Sequence, residues 1–271
     1  MRRLPSAFVA AHVIDPSRRS LFVEGRSDRL FFRWLSGKTS AELKIEEIAD
    51  VELPDLGSNR QRVIKLAEEV GAACDRMMMI ADTDLEPVPT PMPPQLRMTD
   101  HRDVESYLLR ADCFEKVLRL GLMDDDLEAR ELLTSVMGCG RWLAALRTVM
   151  ASHVPPVAVT DQVEFSKYLE FKNGILAVRK APLVQALLQR AGVSLTEKAS
   201  TLQAIEEAVA GLSAVADLDL VRGKDGVAVA CFVFRKAKAK DPDSALRCSF
   251  EKSMSADYPV LTDIVAFISA A

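Results

Sequence analysis

Glu24, Asp82 and Asp84 are the residues of this chain best placed to do chemistry. Each follows directly on a short apolar run. Leu21-Phe22-Val23 ends at Glu24-Gly25, and Met77-Met78-Met79-Ile80-Ala81 ends at Asp82-Thr83-Asp84. Carboxylate oxygens suit Mg²⁺, a hard ion that proteins usually hold through a few carboxylates. Side chains alternate along an extended chain, so Asp82 and Asp84 are expected to point the same way and share one ion or two neighbouring ones. Glu24, on an adjacent strand end, is expected within about 5 Å, since strands are spaced at roughly 4.8 Å. Gly25 is read as the residue that lets the backbone turn sharply after the glutamate. Three carboxylates gathered without a cation would raise one another's pKa, which favours a metal among them. The competing reading, solvated acids in surface turns, fits a lone D-x-D better than two acidic strand ends in one alternating pattern.

That alternation is what positions the acids. Ser20 to Val23 reads as a buried strand, and Leu30, Phe31, Trp34 and Leu35 follow at helical spacing. Ser27 or Asp28 is expected to cap that helix and Gly37 to stop it. Leu43 to Val51 is a second strand, with Leu43, Ile45 and Ile48 inward, and Gly57-Ser58-Asn59 opens a helix carrying Val63, Leu66, Ala67 and Val70 on one face. The unbroken apolar run Met77 to Ala81 suits a central parallel strand covered on both faces. Strand, helix, strand, helix, strand forces a parallel sheet. Ligands of such sheets gather at the carboxyl ends of the strands, where both acidic motifs lie. Glu86 to Pro94, with five prolines, is an irregular loop, and His101 to Leu109 a short strand or turn before a helix from about Asp112 to Leu120. Beyond about Asp124 the pattern is helical: Leu127 to Ser152, Lys180 to Ala191, Thr196 to Ala214, Gly226 to Lys236 and Pro259 to Ala270. The expected fold class is α/β, a parallel sheet with flanking helices over residues 1–122 and a mainly helical region over 123–271.

The chain has 271 residues and a formal charge of −4, so net charge does not draw it to nucleic acid. A divalent ion can supply positive charge locally where a phosphate sits. Five scattered cysteines without a C-x-x-C pair support neither a zinc site nor a disulfide framework and fit a reduced, cytoplasmic compartment. The apolar run Ala7 to Ile14 is too short for a leader and meets Asp15-Pro16 rather than a cleavage site. No segment approaches the roughly 20 apolar residues of a membrane span. There is no G-x-x-x-x-G-K-[ST], so any ATP hydrolysis must belong to a partner.

Nucleic-acid chemistry also needs cations for the flanking phosphates. Arg26 lies beside Glu24, and Arg60 and Arg62 flank a helix start, where free N–H groups favour an anion. Lys224, at the helix start after Gly223, suits a phosphate or leaving-group contact.

Leu21-Phe22-Val23-Glu24-Gly25-Arg26-Ser27-Asp28 and Met79-Ile80-Ala81-Asp82-Thr83-Asp84 resemble the two signature motifs of the TOPRIM domain, shared by topoisomerases, bacterial primases, recombination proteins and overcoming-lysogenization-defect nucleases. Asp103-Val104-Glu105-Ser106-Tyr107-Leu108-Leu109 is similar to a further signature of a TOPRIM-like group encoded beside ABC-type ATPases, which includes the effector of PARIS anti-phage systems. The likeness covers roughly residues 18–120, with a further match at Val221 to Asp225. It implies a TOPRIM-type sheet in the order 3-2-1-4, Glu24 as proton-transfer group or metal ligand, and Asp82 and Asp84 as ligands of Mg²⁺ or Mn²⁺. Asp28 would support the first motif, and Asp103 and Glu105 would hold a second metal or fix the fourth strand. It further implies an endonuclease with tRNA or other RNA somewhat favoured over DNA, acting as a homodimeric toxic effector of phage defence under a partner ATPase. The alternative is a non-catalytic module that organises a complex.

Overall fold

The computed structural model describes every residue except 1, 38–42, 55, 85–86, 160–163, 173 and 271, so Glu86, where the proline loop begins, lies outside the described residues. The fold is mixed α/β, with a four-stranded parallel sheet flanked by helices and a helical region after it. The chain divides into two compact units: residues 1–104 with 250–271, and residues 105–249. A contiguous split near residue 122 was expected. The observed division differs in two ways: it falls after Val104, and the last helix, Pro259–Ser269, belongs to the first unit.

The first unit opens with a helix, α1 (Pro5–Ile14), then β1 (Arg19–Val23), α2 (Arg26–Ser36), β2 (Leu43–Glu47), α3 (Asn59–Val70), β3 (Met77–Ala81) and β4 (Leu96–Met98). The strands are all parallel and lie in the order β2-β1-β3-β4. This corrects the 3-2-1-4 order, which would put β2 between β1 and β3. Instead β1 pairs with both, Leu21 facing Ile45 on one side and Met78 on the other. Successive connections therefore leave β1 in opposite directions, and the topological switch point falls between β1 and β3. Open α/β sheets bind ligands at such a point.

Alternation along the strands fills both faces. Phe22, Met77 and Met79 join Phe8 of α1 and Val63, Leu66 and Val70 of α3 in one core layer. Phe8 meets Phe22 edge to face, with centroids 5.0 Å apart. Leu21, Val23, Met78 and Ile80 point to the opposite face and are also buried, as the continuous apolar runs require. In α2 the buried apolar residues are Phe31, Phe32 and Leu35, while Leu30 and Trp34 are exposed at 47% and 51%. The last helix has no cap from its own start. Asp100, just past β4, accepts from the N–H groups of both Val260 and Leu261, at 2.9 and 3.0 Å.

The second unit contains α4 (Ala111–Lys116), α5 (Ala129–Ala151), a hairpin of β5 (Leu169–Lys172) and β6 (Ile175–Val178), and then α6 (Lys180–Arg190), α7 (Lys198–Gly211), α8 (Asp217–Leu220), α9 (Gly223–Lys236) and α10 (Pro242–Ser249). Of the short strand or turn expected over His101 to Leu109, the chain forms the turn, a 3-10 helix over Val104–Leu108. Where α9 begins, a Cβ on Gly226 would stand 2.5 Å from Leu109 Cδ1, so glycine is what allows this approach. Arg147 of α5 clamps Asp225 with two bonds of 2.8 Å, fixing the first turn of α9. Among the described residues no helix is long and apolar enough to cross a membrane.

Candidate functional site

Glu24 and Asp82 come together at the switch point. Glu24 leaves the end of β1 and its Oε1 accepts from the Asp82 backbone N–H at 2.8 Å. The carboxylate thus bridges two strand ends, and Asp82 itself is only 6% exposed. Asn59, at the start of α3, donates its Nδ2 hydrogen to the Glu24 carbonyl at 2.8 Å, fixing the exit from β1. Asp28 holds the same exit from the other side. Its Oδ2 accepts from Gly25 N–H at 2.9 Å and its Oδ1 from the Ser27 hydroxyl. The cap of α2 is therefore Gly25, with Asp28 reaching back from the third position, and neither Ser27 nor Asp28 is the N-cap residue itself. Gly25 sits at φ −155°, an extended conformation open to any residue, so it makes no glycine-specific turn.

Asp84 does not continue the extended register. It lies in the left-handed region at φ 47°, tolerated by aspartate better than by most residues. Its N–H donates to the Arg102 carbonyl at 2.9 Å, and Thr83 N–H to Thr99 Oγ1 at 3.0 Å, stitching the D-x-D loop to the exit of β4. Asp82 and Asp84 therefore do not project in parallel as an alternating strand would make them. Asp103 is buried at 1% exposure. Among the described residues no group of three or more acidic, cysteine or histidine side chains is arranged to hold a metal ion. Glu24 and Asp82, on paired strand ends, carry hard oxygens of the kind taken by Mg²⁺, which is bound through one or two carboxylates with waters and substrate phosphates completing its shell.

The cations fall differently from their expected roles. Arg60 is buried, its Nε donating to the Asp82 carbonyl at 2.8 Å and its Nη2 to the Pro87 carbonyl at 3.1 Å. Arg62 donates to the Val51 carbonyl at 2.8 Å. Both guanidinium groups are committed to backbone, which replaces the phosphate contact expected at this helix start. Arg60 instead braces the segment carrying Asp82. Arg26 is exposed in the first turn of α2.

Glu105 and Lys224 lie in the second unit and line one cavity there. The Glu105 carboxylate pairs with Arg247, Oε1 to Nη2 at 3.2 Å, and Arg247 Nε also bonds Asp243 at 3.0 Å. Burial opposes the Arg247 charge, but the bond to Asp243 and the field of Glu105 more than restore it and raise its pKa. Cys231 lines the same cavity, yet burial pushes its thiol up to about 12, which keeps it from acting as a thiolate. Arg247, Asn59 and Thr99 went unnoticed in the sequence because each acts through a partner distant along the chain. Comparison with known proteins finds no family model that matches the chain and no curated protein that matches it.

Proposed function

We propose that the chain is a Mg²⁺-dependent endonuclease, with Glu24 and Asp82 as the centre of its site and Asp84 and Asp103 as further candidate ligands. One observation carries this reading: the two carboxylates sit on paired strand ends at the switch point of a parallel sheet, joined through the 2.8 Å bond from Asp82 N–H to Glu24. A divalent ion bound there would place positive charge against a phosphodiester and make a nearby water more acidic. Asp82, its backbone held by Arg60 and Glu24, is the fixed ligand. Glu24 holds the Asp82 backbone through one carboxylate oxygen, and its negative charge is what a divalent ion or a transferred proton would meet. Asp28 and Asn59 limit the movement of Glu24, the support that catalytic groups need to stay in register with a reacting phosphate. The resemblance supplies the rest of the proposal: RNA, tRNA in particular, as substrate, and service as a homodimeric effector in phage defence restrained by an ABC-type ATPase.

A second reading is a non-catalytic module, favoured by the want of a ready three-ligand cluster among the described residues. Purified protein incubated with Mg²⁺ or Mn²⁺ and tRNA or plasmid DNA separates the two. Glu24→Gln is the control, because the amide keeps an oxygen for Asp82 N–H while losing the charge. The nuclease reading expects cleavage by the wild type and at least ~100-fold less by Glu24→Gln, the scale on which a single acid–base group acts. Equal behaviour of the two proteins would leave the module.

A further inference from the structure

The cavity of the second unit has features that the acid pair does not explain. It measures about 460 Å³, large enough for a nucleotide and within the usual range of small-ligand pockets. Its wall includes the Glu105–Arg247 ion pair, the apolar surface of Phe165 and Ala228, and the long cations Lys224 and Arg235. Glu105 is only 2% exposed. The pair uses Oε1 and Nη2 on each other, while Glu105 Oε2 and Arg247 Nη1 are buried with no hydrogen-bond partner among the described residues. Leaving such atoms unmet costs on the order of 1–3 kcal/mol each, more where charge is involved. Buried groups of this kind call for a functional or solvent explanation.

The cavity's other acids already have cationic partners, Glu164 pairing with Lys167. Asp225 is taken by Arg147 and Asp243 by Arg247 Nε. What the ion pair leaves is one acceptor and one donor on the same pair of side chains. A carboxylate offers acceptors alone, and an ammonium group donors alone. The edge of a nucleobase offers a donor beside an acceptor, the pattern by which paired side-chain contacts read bases. Lys224 and Arg235 add positive charge suited to the attached phosphate.

We infer that this cavity holds a single unpaired nucleotide, its base edge against Glu105 Oε2 and Arg247 Nη1 and its phosphate toward Lys224 and Arg235. Arg247 is 23% exposed, and the inference requires its side chain to move so that both buried atoms meet the occupant. The inference rests on the nucleic-acid reading for the source of the nucleotide, and it names what the second unit recognises: a base free of its pairing partner. A base inside a duplex has its edge occupied and its faces stacked, and does not enter.

The test is binding by full-length protein in EDTA, where metal-dependent cleavage cannot contribute. The probes are the four ribonucleoside monophosphates, single-stranded oligonucleotides of four residues, and a hairpin duplex. Wild type is expected to bind at least one monophosphate or tetranucleotide and to bind the blunt duplex at least tenfold more weakly. Binding of monophosphates marks the free nucleotide as the source; binding of the oligonucleotide alone marks a base within a strand. Ala228→Trp adds bulk to the cavity wall from an exposed position of α9, and is expected to weaken binding at least tenfold. Glu105→Gln adds a donor where an acceptor stood, and is expected to change which base binds best, an effect that a purely structural role would not produce. No binding by the folded wild type, or binding unchanged in Ala228→Trp, overturns the inference. Glu24→Gln is expected to bind normally, so loss of cleavage with intact binding isolates the nuclease proposal from this one.

Discussion

At the carboxyl ends of β1 and β3 the charged side chains are tied to backbone: Glu24 to Asp82 N–H, Asp28 to Gly25 N–H, Arg60 to the Asp82 and Pro87 carbonyls. In the second unit several are tied to one another, Arg247 to Glu105 and Asp243 and Arg147 to Asp225, with Arg147 also donating to the Val159 carbonyl. Backbone partners cannot move away, so the first arrangement fixes a site in place. Side-chain pairs can be exchanged for a ligand, and one of them retains two unmet atoms beside a cavity. The difference separates a site built to hold its own groups still from one built to accept an occupant.

The sharpest way to break that contrast is Arg147→Ala. Asp225, 4% exposed, then loses its bidentate partner and keeps Arg222 only at 3.9 Å, so chemical denaturation is expected to show a loss of about 3–5 kcal/mol, the cost of stranding a buried charge. A loss below 1 kcal/mol would mean the pair is not what secures α9. Arg60→Ala comes next. It removes bonds to two backbone carbonyls and is expected to destabilise by about 2–3 kcal/mol, whereas Arg26→Ala, on an exposed side chain, stays within about 0.5 kcal/mol. Equal effects would return Arg60 to the phosphate-binding role that its place at a helix start suggested. Asp100→Ala tests the cap that joins the last helix to the sheet and is expected to cost about 1 kcal/mol in the same denaturation experiment.

The smallest effect concerns His12. Burial, aided by Arg18 and Arg76 and opposed by the Phe8 carbonyl and Asp15, lowers its pKa below the ordinary 6.5. The unfolded chain takes up a proton near pH 6.5 while the folded chain resists it, so this contribution is intact above pH 6.5 and is lost as pH falls from there toward the lowered folded value. The expected slope is on the order of 1 kcal/mol per pH unit or less. Urea midpoints for wild type and His12→Gln between pH 7.5 and 5 check it, with the variant flatter over the acid side.

The strands with unbroken apolar runs were legible because burial on both faces leaves a strong pattern: Met77–Ala81 falls where the sequence placed it. The long helices followed from their periodicity, α3 and α6 beginning within a residue or two of expectation. β4 was not legible, since three residues following a proline loop carry too little periodicity. The strand order was hidden too, because adjacency depends on which way each crossover turns, and the motifs were the same in either order. Glu24 and Asp82 could be found as strand-end acids. The left-handed turn at Asp84 and the Arg60 brace could not, because both arise from hydrogen bonds to residues far away in sequence.

The claim at the centre of this account is that the Glu24–Asp82 pair holds a divalent ion, and Mn²⁺ binding followed by electron paramagnetic resonance tests it without any substrate. Wild type is expected to remove Mn²⁺ from solution saturably, in competition with Mg²⁺, and Asp82→Asn and Glu24→Gln each to weaken that binding at least tenfold while remaining folded. Binding of the same strength in both variants, or none in the wild type, would contradict it.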